Sequence, residues 1–272
     1  MRSSIPTRSR RARWFQAAAL GTAAVLVLGA CGGDDDDDDN SSPTTVAEET
    51  DDTAAPGDDG DEAASGDFCE AYVTANDATA AGEGDPTPAL EAVQAAAPDE
   101  IADDVATMIE NAPGEQEIPP QEFFDANEAI GEYVEANCDF STVEVTGSDY
   151  AFEGIPEELG AGTVLVKFTN EGEELHELVV FRKNDGEERS ITDLLALPEE
   201  EAMTAVTPVT GFAFALPGGT FYTTYTLEEG SHGAVCFIPT GLTPEAAEAG
   251  EVDETAPPHH AQGMAVEFEV TA

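Results

Sequence analysis

Hydrophobic and polar positions divide the chain into four textures. Residues 17–27 are almost wholly apolar, and residues 32–66 hold hardly any large apolar side chain. Between residues 67 and 140 the apolar positions recur at helical intervals. Ile101, Val105, Met108 and Ile109 form one such set, and Phe123, Phe124, Ala126, Ile130 and Val134 another, each lining one face of a helix. Pro98-Asp99-Glu100 fits a helix start, with proline and acids in the first turn, and Pro113-Gly114 and Pro119-Pro120 punctuate the ends. A small α-helical domain over 67–140 is expected, with these stripes as its core. From residue 142 onward the period shortens to that of strands: Val143 and Val145, Tyr150 and Phe152, then Val164-Leu165-Val166-Lys167-Phe168. Further strands are expected over 177–182, 211–216, 220–227, 233–238 and 265–270. A helical excursion over 191–203 turns Leu194, Leu195 and Leu197 inward. Short strands with turn residues roughly every ten positions indicate a mainly β domain over 142–272, an antiparallel sandwich or barrel.

The N-terminal texture changes the picture of where the chain works. Arg2, Arg8, Arg10, Arg11 and Arg13 precede the apolar run, and Leu28-Gly29-Ala30-Cys31 follows it, the order of a secretory signal over 1–30. The run is shorter than the ~20 residues of a membrane-spanning helix. Ser9-Arg10-Arg11 hints at twin-arginine export, although Arg13 stands where that motif wants an apolar residue. Leu28-Gly29-Ala30-Cys31 resembles a bacterial lipobox. The resemblance implies a lipoprotein with Cys31 as its lipidated N-terminus, exported and anchored through that lipid to the outer face of the cell membrane. Residues 31–66, including the aspartate run 34–39, read as a disordered acidic linker, because so little apolar surface cannot offset the entropy of folding. Such a charge-extended segment is a spacer between membrane and folded parts. It also offers loose cation binding, but lacks the turn glycine and spaced ligands of a calcium loop.

The sequence contains 9 basic and 58 acidic residues. Five of the arginines lie in the signal, so only Lys167, Arg182, Lys183 and Arg189 follow it. This polyanionic balance favours a cationic partner, a redox protein among them, and argues against nucleic acid. Adaptation to salty surroundings gives the same composition. Of the four cysteines, lipidation of Cys31 leaves Cys69, Cys138 and Cys236. Phe68-Cys69-Glu70-Ala71-Tyr72 and Ala136-Asn137-Cys138 resemble a helical module of actinobacterial lipoproteins, and these flanking patterns suggest a Cys69–Cys138 disulfide, with Cys69 opening the first helix and Cys138 closing the last. Such a bridge would stabilise a bundle with a limited core by about 2 to 4 kcal/mol. Cys236 is then a lone thiol in an oxidising compartment, and metal ligation is one reason to keep it.

Asn170-Glu171-Gly172-Glu173-Glu174-Leu175-His176-Glu177, set between two strands, resembles the cupredoxin segment in which a turn after Asn-x-Gly delivers the first histidine ligand. Downstream, Cys236 ends a strand and His259-His260-Ala261-Gln262-Gly263-Met264 opens the last, with His259 and Met264 at the family's histidine-to-methionine spacing. The resemblance, to plastocyanin- and azurin-type domains, implies a cupredoxin-like Greek-key β-sandwich binding one copper ion, with His176, Cys236 and His259 equatorial and Met264 axial. Two imidazoles, a thiolate and a weak thioether suit both oxidation states of copper, which limits rearrangement on electron transfer. His260 competes with His259 for the third place, and the spacing to Met264 favours His259. A buried histidine, a core thiol and an ordinary packing methionine are the plainer readings of these residues taken singly.

The sequence departs from the family by inserting residues 237–258 between cysteine and histidine. Loop closure grows slowly with length, by about 0.6 kcal/mol per doubling, so the insert is expected to loop out and return at Pro257-Pro258. His232 lies some 13 Å from Cys236 at ~3.3 Å per residue and is expected at the surface or a loop rim. The sequence shows neither the His-x-His pairs of multicopper oxidases nor a nucleophile with its base. A non-enzymatic electron carrier is expected, with copper buffering or delivery, or a metal-free binding sandwich, as alternatives.

Overall fold

The structure, a computed structural model, describes residues 59–81, 84–113, 118–253 and 255–272. The expected signal over 1–30, Cys31 and residues 31–58 of the expected linker lie outside them. Helices α1 (Asp59–Ala80), α2 (Thr87–Ala96), α3 (Ala102–Glu110) and α4 (Gln121–Asn137) make up the first part. Helix α1 starts within the segment expected as linker, where Ala63-Ala64 are strong helix formers. Cys69 therefore lies inside α1 rather than at its start. Cys138 follows α4 directly, and the two form the disulfide. Phe68, Tyr72, Val93, Ile101, Val105, Ile130 and Val134 fill the space between the helices. No described helix is long and apolar enough to cross a membrane.

The strands are β1 (Ser141–Ser148), β2 (Ala151–Glu153), β3 (Glu158–Gly160), β4 (Gly162–Asn170), β5 (His176–Lys183), β6 (Val206–Pro208), β7 (Ala213–Ala215), β8 (Thr220–Leu227), β9 (Gly230–Val235) and β10 (Ala265–Thr271). Helices α5 (Ile191–Leu195) and α6 (Glu199–Ala202) stand before β6, split by Pro198, and α7 (Pro244–Glu248) stands before β10. Ile191 and Leu194 are buried as the inward side of the excursion, and Leu195 and Leu197 pack half-buried beside them. One sheet has the order β2-β1-β4-β8, with β1 and β4 parallel. The other has the order β3-β10-β9-β5-β6, and β7 pairs with the first half of β5. The chain crosses between the sheets from β2 to β3, β3 to β4, β4 to β5, β7 to β8 and β8 to β9. This is the cupredoxin-like sandwich, with Val145, Val166, Phe168, Leu178, Val180, Tyr225, Ala234 and Phe268 among its inner residues.

The first sheet is covered on its outer face as well. Leu165 and Tyr222 point away from the sandwich interior into the helical core. A strand buried on both faces needs a continuous apolar run rather than an alternating one, which accounts for Val164-Leu165-Val166 in β4. Gly131 lets α4 come close: a Cβ there would stand 2.1 Å from Cγ of Tyr222. Asn127 donates from Nδ2 to the Tyr222 carbonyl (2.9 Å) and accepts from the Tyr222 N–H (2.8 Å). The helices are thus packed onto the sandwich, not separated from it.

Candidate metal centre

Strands β10, β9 and β5 are neighbours in one sheet, and their pairing is antiparallel, so three chain ends meet at one edge. His176 begins β5, Cys236 directly follows β9, and Met264 directly precedes β10. His259 opens a single 3₁₀ turn, His259–Gln262. The insert leaves and returns at one place. Pro239 pairs with Pro258, Thr240 N donates to Pro257 O (3.0 Å), and α7 is accommodated between them. Backbone bonds then fix the returning segment: His259 N to Ile238 O (2.8 Å), His260 N to Cys236 O (3.0 Å), Met264 N to His259 O (3.2 Å) and Cys236 N to Met264 O (3.2 Å).

The turn before His176 is held by Asn170, whose Nδ2 donates to Glu174 O (2.8 Å) and Ala215 O (2.9 Å) while its Oδ1 accepts from Gly172 N (2.8 Å). Gly172 has no room for a side chain. A Cβ there would lie 2.3 Å from Oδ1 of Asp149 and 2.6 Å from Nε2 of His176.

His176, Cys236, His259 and Met264 are all fully buried. The ligand atoms of His176, Cys236 and His259 lie within 4.8 Å of one another. Nδ1 of His176 is 3.0 Å from Nδ1 of His259, which is 3.4 Å from Sγ of Cys236. The outer nitrogen of each ring faces a carboxylate: His176 Nε2 lies 3.0 Å from Asp149 Oδ1, and His259 Nε2 lies 2.9 Å from Glu174 Oε2. Burial opposes ionisation of Asp149, but the Glu173 N–H and His176 outweigh it and hold the carboxyl below its usual range. Glu174 is likewise held low, with the Gly241 N–H, the Tyr150 hydroxyl and His259 outweighing burial. Burial pushes both imidazoles down; His259 adds to the effect on His176, while the carboxylates oppose it at both rings.

The two carboxylates favour one tautomer at each ring. Neutral rings beside ionised carboxylates carry their hydrogen on Nε2 and donate it outward, leaving the lone pair on Nδ1. Two lone pairs then face each other across 3.0 Å, beside a sulfur, with water excluded. A cation placed among the three atoms would satisfy both lone pairs and the sulfur. Burial and the Glu177 carboxyl hold the Cys236 thiol well above its ordinary range, so a thiolate here also requires a bound cation. A soft sulfur and two imidazoles suit copper, and the buried Met264 supplies a thioether beside them.

His260 turns away from this point. It is half-buried edge-on to Phe237, and burial with His259 pushes its pKa down to about 4. His232 corrects the expectation of a surface or rim residue. It is fully buried, stacked on Phe268, because even spacing from Cys236 keeps it on the inward face of β9. The carboxylates Asp149, Glu174 and Glu177 escape sequence reasoning. Glu177 is buried and accepts from Phe237 N (2.9 Å), the residue after Cys236, and burial raises its pKa to about 7. Only nearness to His176 in the chain marks Glu174 and Glu177 among so many acids.

No protein-family model and no curated protein matches the chain. Solved structures similar to it include dithionite-reduced auracyanin from Roseiflexus castenholzii, at 21% identity over 48% of this chain and 98% of that one, with a TM-score of 0.30. Rusticyanin from Thiobacillus ferrooxidans is similar at 19% identity over 48% of this chain and 78% of its own, with a TM-score of 0.29. A multi-copper oxidase from Pediococcus acidilactici is similar at 13% identity over 49% of this chain and 27% of its own, with a TM-score of 0.27.

Proposed function

We propose that this chain is an exported, membrane-tethered electron carrier with one mononuclear copper site, which His176, Cys236 and His259 would hold, with the Met264 thioether available as a weak further ligand. The observation that carries the reading is the buried set of two imidazole Nδ1 atoms and one cysteine sulfur within 4.8 Å, with both outer ring nitrogens tied down. Bound copper supplies reversible one-electron chemistry; a ligand set acceptable to both oxidation states keeps rearrangement small. The protein's own contribution is rigidity. The backbone bonds among residues 236–264 and the Asn170 turn hold the ligands before any ion binds. Burial of every ligand keeps water out and favours retention of the ion over its delivery to another protein. Lipid on Cys31 tethers the chain to the outer face of the membrane, and its partner is a cationic redox protein rather than a substrate or a nucleic acid.

Copper-loaded protein is expected to show an intense visible thiolate-to-copper band and a mononuclear copper spin-resonance spectrum. A Cys236→Ser variant loses the band. Persistence of that band in the variant would remove Cys236 from the site and end the assignment.

A further inference from the structure

We infer that Asp149 and Glu174 are positioning residues for the two histidine ligands, fixing which ring nitrogen each presents and biasing the bound ion toward its divalent state. The inference rests on the copper reading above. Each carboxylate is assembled by contacts other than the imidazole it holds. Asp149 Oδ2 accepts from Glu173 N (3.1 Å), while Glu174 Oε1 accepts from the Tyr150 hydroxyl (2.8 Å) and its Oε2 from Gly241 N. Glu174 thereby joins the β1–β2 turn, the β4–β5 turn and the long insert around His259. Gly172 leaves the space through which Asp149 reaches His176.

A carboxylate on the outer N–H of an imidazole fixes its tautomer and raises the donor strength of the other nitrogen. Two fixed negative charges one ring away from the metal also stabilise a divalent ion more than a monovalent one. Solvent screens the effect less at Glu174, whose side chain is 14% exposed, than at Asp149, at 29%. Glu174 is therefore the stronger of the two.

The test separates charge from geometry. In Glu174→Gln the amide oxygen can still accept from His259 and Gly241, and the amide N–H can donate to a reversed Tyr150 hydroxyl, so the contacts survive and the charge does not. Copper-loaded E174Q is expected to keep the visible band, while divalent copper binds about tenfold less tightly relative to monovalent copper. Cyclic voltammetry then reads a reduction potential raised by about 59 mV for this one-electron couple. Asp149→Asn shifts it in the same direction by less. Glu174→Leu, which removes the acceptors, is expected to expose the His259 Nε2 proton to rapid solvent exchange in the diamagnetic monovalent-copper form, followed by NMR; wild type and E174Q protect it. If wild-type protein shows the Cys236-dependent band but both charge variants leave the relative affinity within twofold, this assignment is overturned and the copper reading stands. If wild type takes up no copper, the copper reading fails and takes this one with it.

Discussion

Of the fully buried histidines among the described residues, His232 alone has no carboxylate hydrogen-bonded to its ring. Its Nδ1 donates to Gly230 O (3.0 Å), its ring stacks on Phe268 with centroids 5.2 Å apart, and its Nε2 has no partner. Burial pushes its pKa down; the Gly230 carbonyl, Glu269 and Glu228 oppose that, and Arg182 reinforces it. The unfolded chain therefore takes up a proton near pH 6.5 while the folded one does not, and stability falls as pH drops below about 6.5. For this one group the slope cannot exceed about 1.4 kcal/mol per pH unit. His232→Phe keeps the stack and removes both the orphan nitrogen and the proton uptake. Urea unfolding of metal-free protein is expected to show a flatter dependence in the variant between about pH 6.5 and 5.5; parallel curves would show that the imidazole does not titrate on unfolding. The sequence distance from Cys236 along the strand sets His232 apart from the proposed ligands, but the parity of that distance, which sends its side chain inward, carried the burial.

At the scale of elements, β8 is the outer strand of its sheet and would present an unpaired backbone edge. Helix α4 covers it, and Asn127 imitates a neighbouring strand by meeting both polar groups of Tyr222. Asn127→Ala strands a buried N–H and a buried carbonyl, so it should destabilise the protein by about 2 to 4 kcal/mol in chemical unfolding. Asn127→Asp, nearly the same shape, should lose at least as much, because it sets a carboxylate against the Tyr222 carbonyl. An Asp variant as stable as wild type would show that the amide donor is not needed. The longer elements were legible in the sequence because their period repeats enough times to be read: the α4 stripe from Phe123 to Val134, the alternation of β1, the aromatic-rich β8. The edge strands β3 and β6 were not: each has three residues and lacks the aromatic alternation that marked Tyr150 and Phe152 at the equally short β2. Val164-Leu165-Val166 was legible as part of a strand, but its burial on both faces and the helices that cover it appear only in the fold. The same limit applies to the metal centre. Residue type and spacing expose two histidines, a cysteine and a methionine, which are scarce in this chain. Asp149 and Glu174 are chemically identical to dozens of other acids, and only the folded geometry sets them apart.

For the molecule as a whole, the scarcity of positive charge is sharper than the composition shows. All four lysines and arginines after residue 13 are engaged with acids: Lys167 with Glu135 (3.7 Å), Arg182 with Asp185 (2.9 Å), Lys183 with Glu267 (2.8 Å), and Arg189 with Glu187 (2.6 Å) and Glu201 (3.6 Å). What a partner meets from a distance is therefore an almost uniformly negative field, which speeds encounter with a cationic protein and slows encounter with an anionic one. The field reaches about 30 Å at 0.01 M ionic strength and about 8 Å at 0.15 M. Stopped-flow electron exchange between the copper-loaded protein and a small cationic redox protein is expected to slow by about tenfold across that range. With an anionic redox protein the same salt should leave the rate unchanged or raise it. A rate with the cationic partner that ignores salt would assign the acidic surface to solubility in salty surroundings, because a charge that serves recognition must lose its effect when ions screen it.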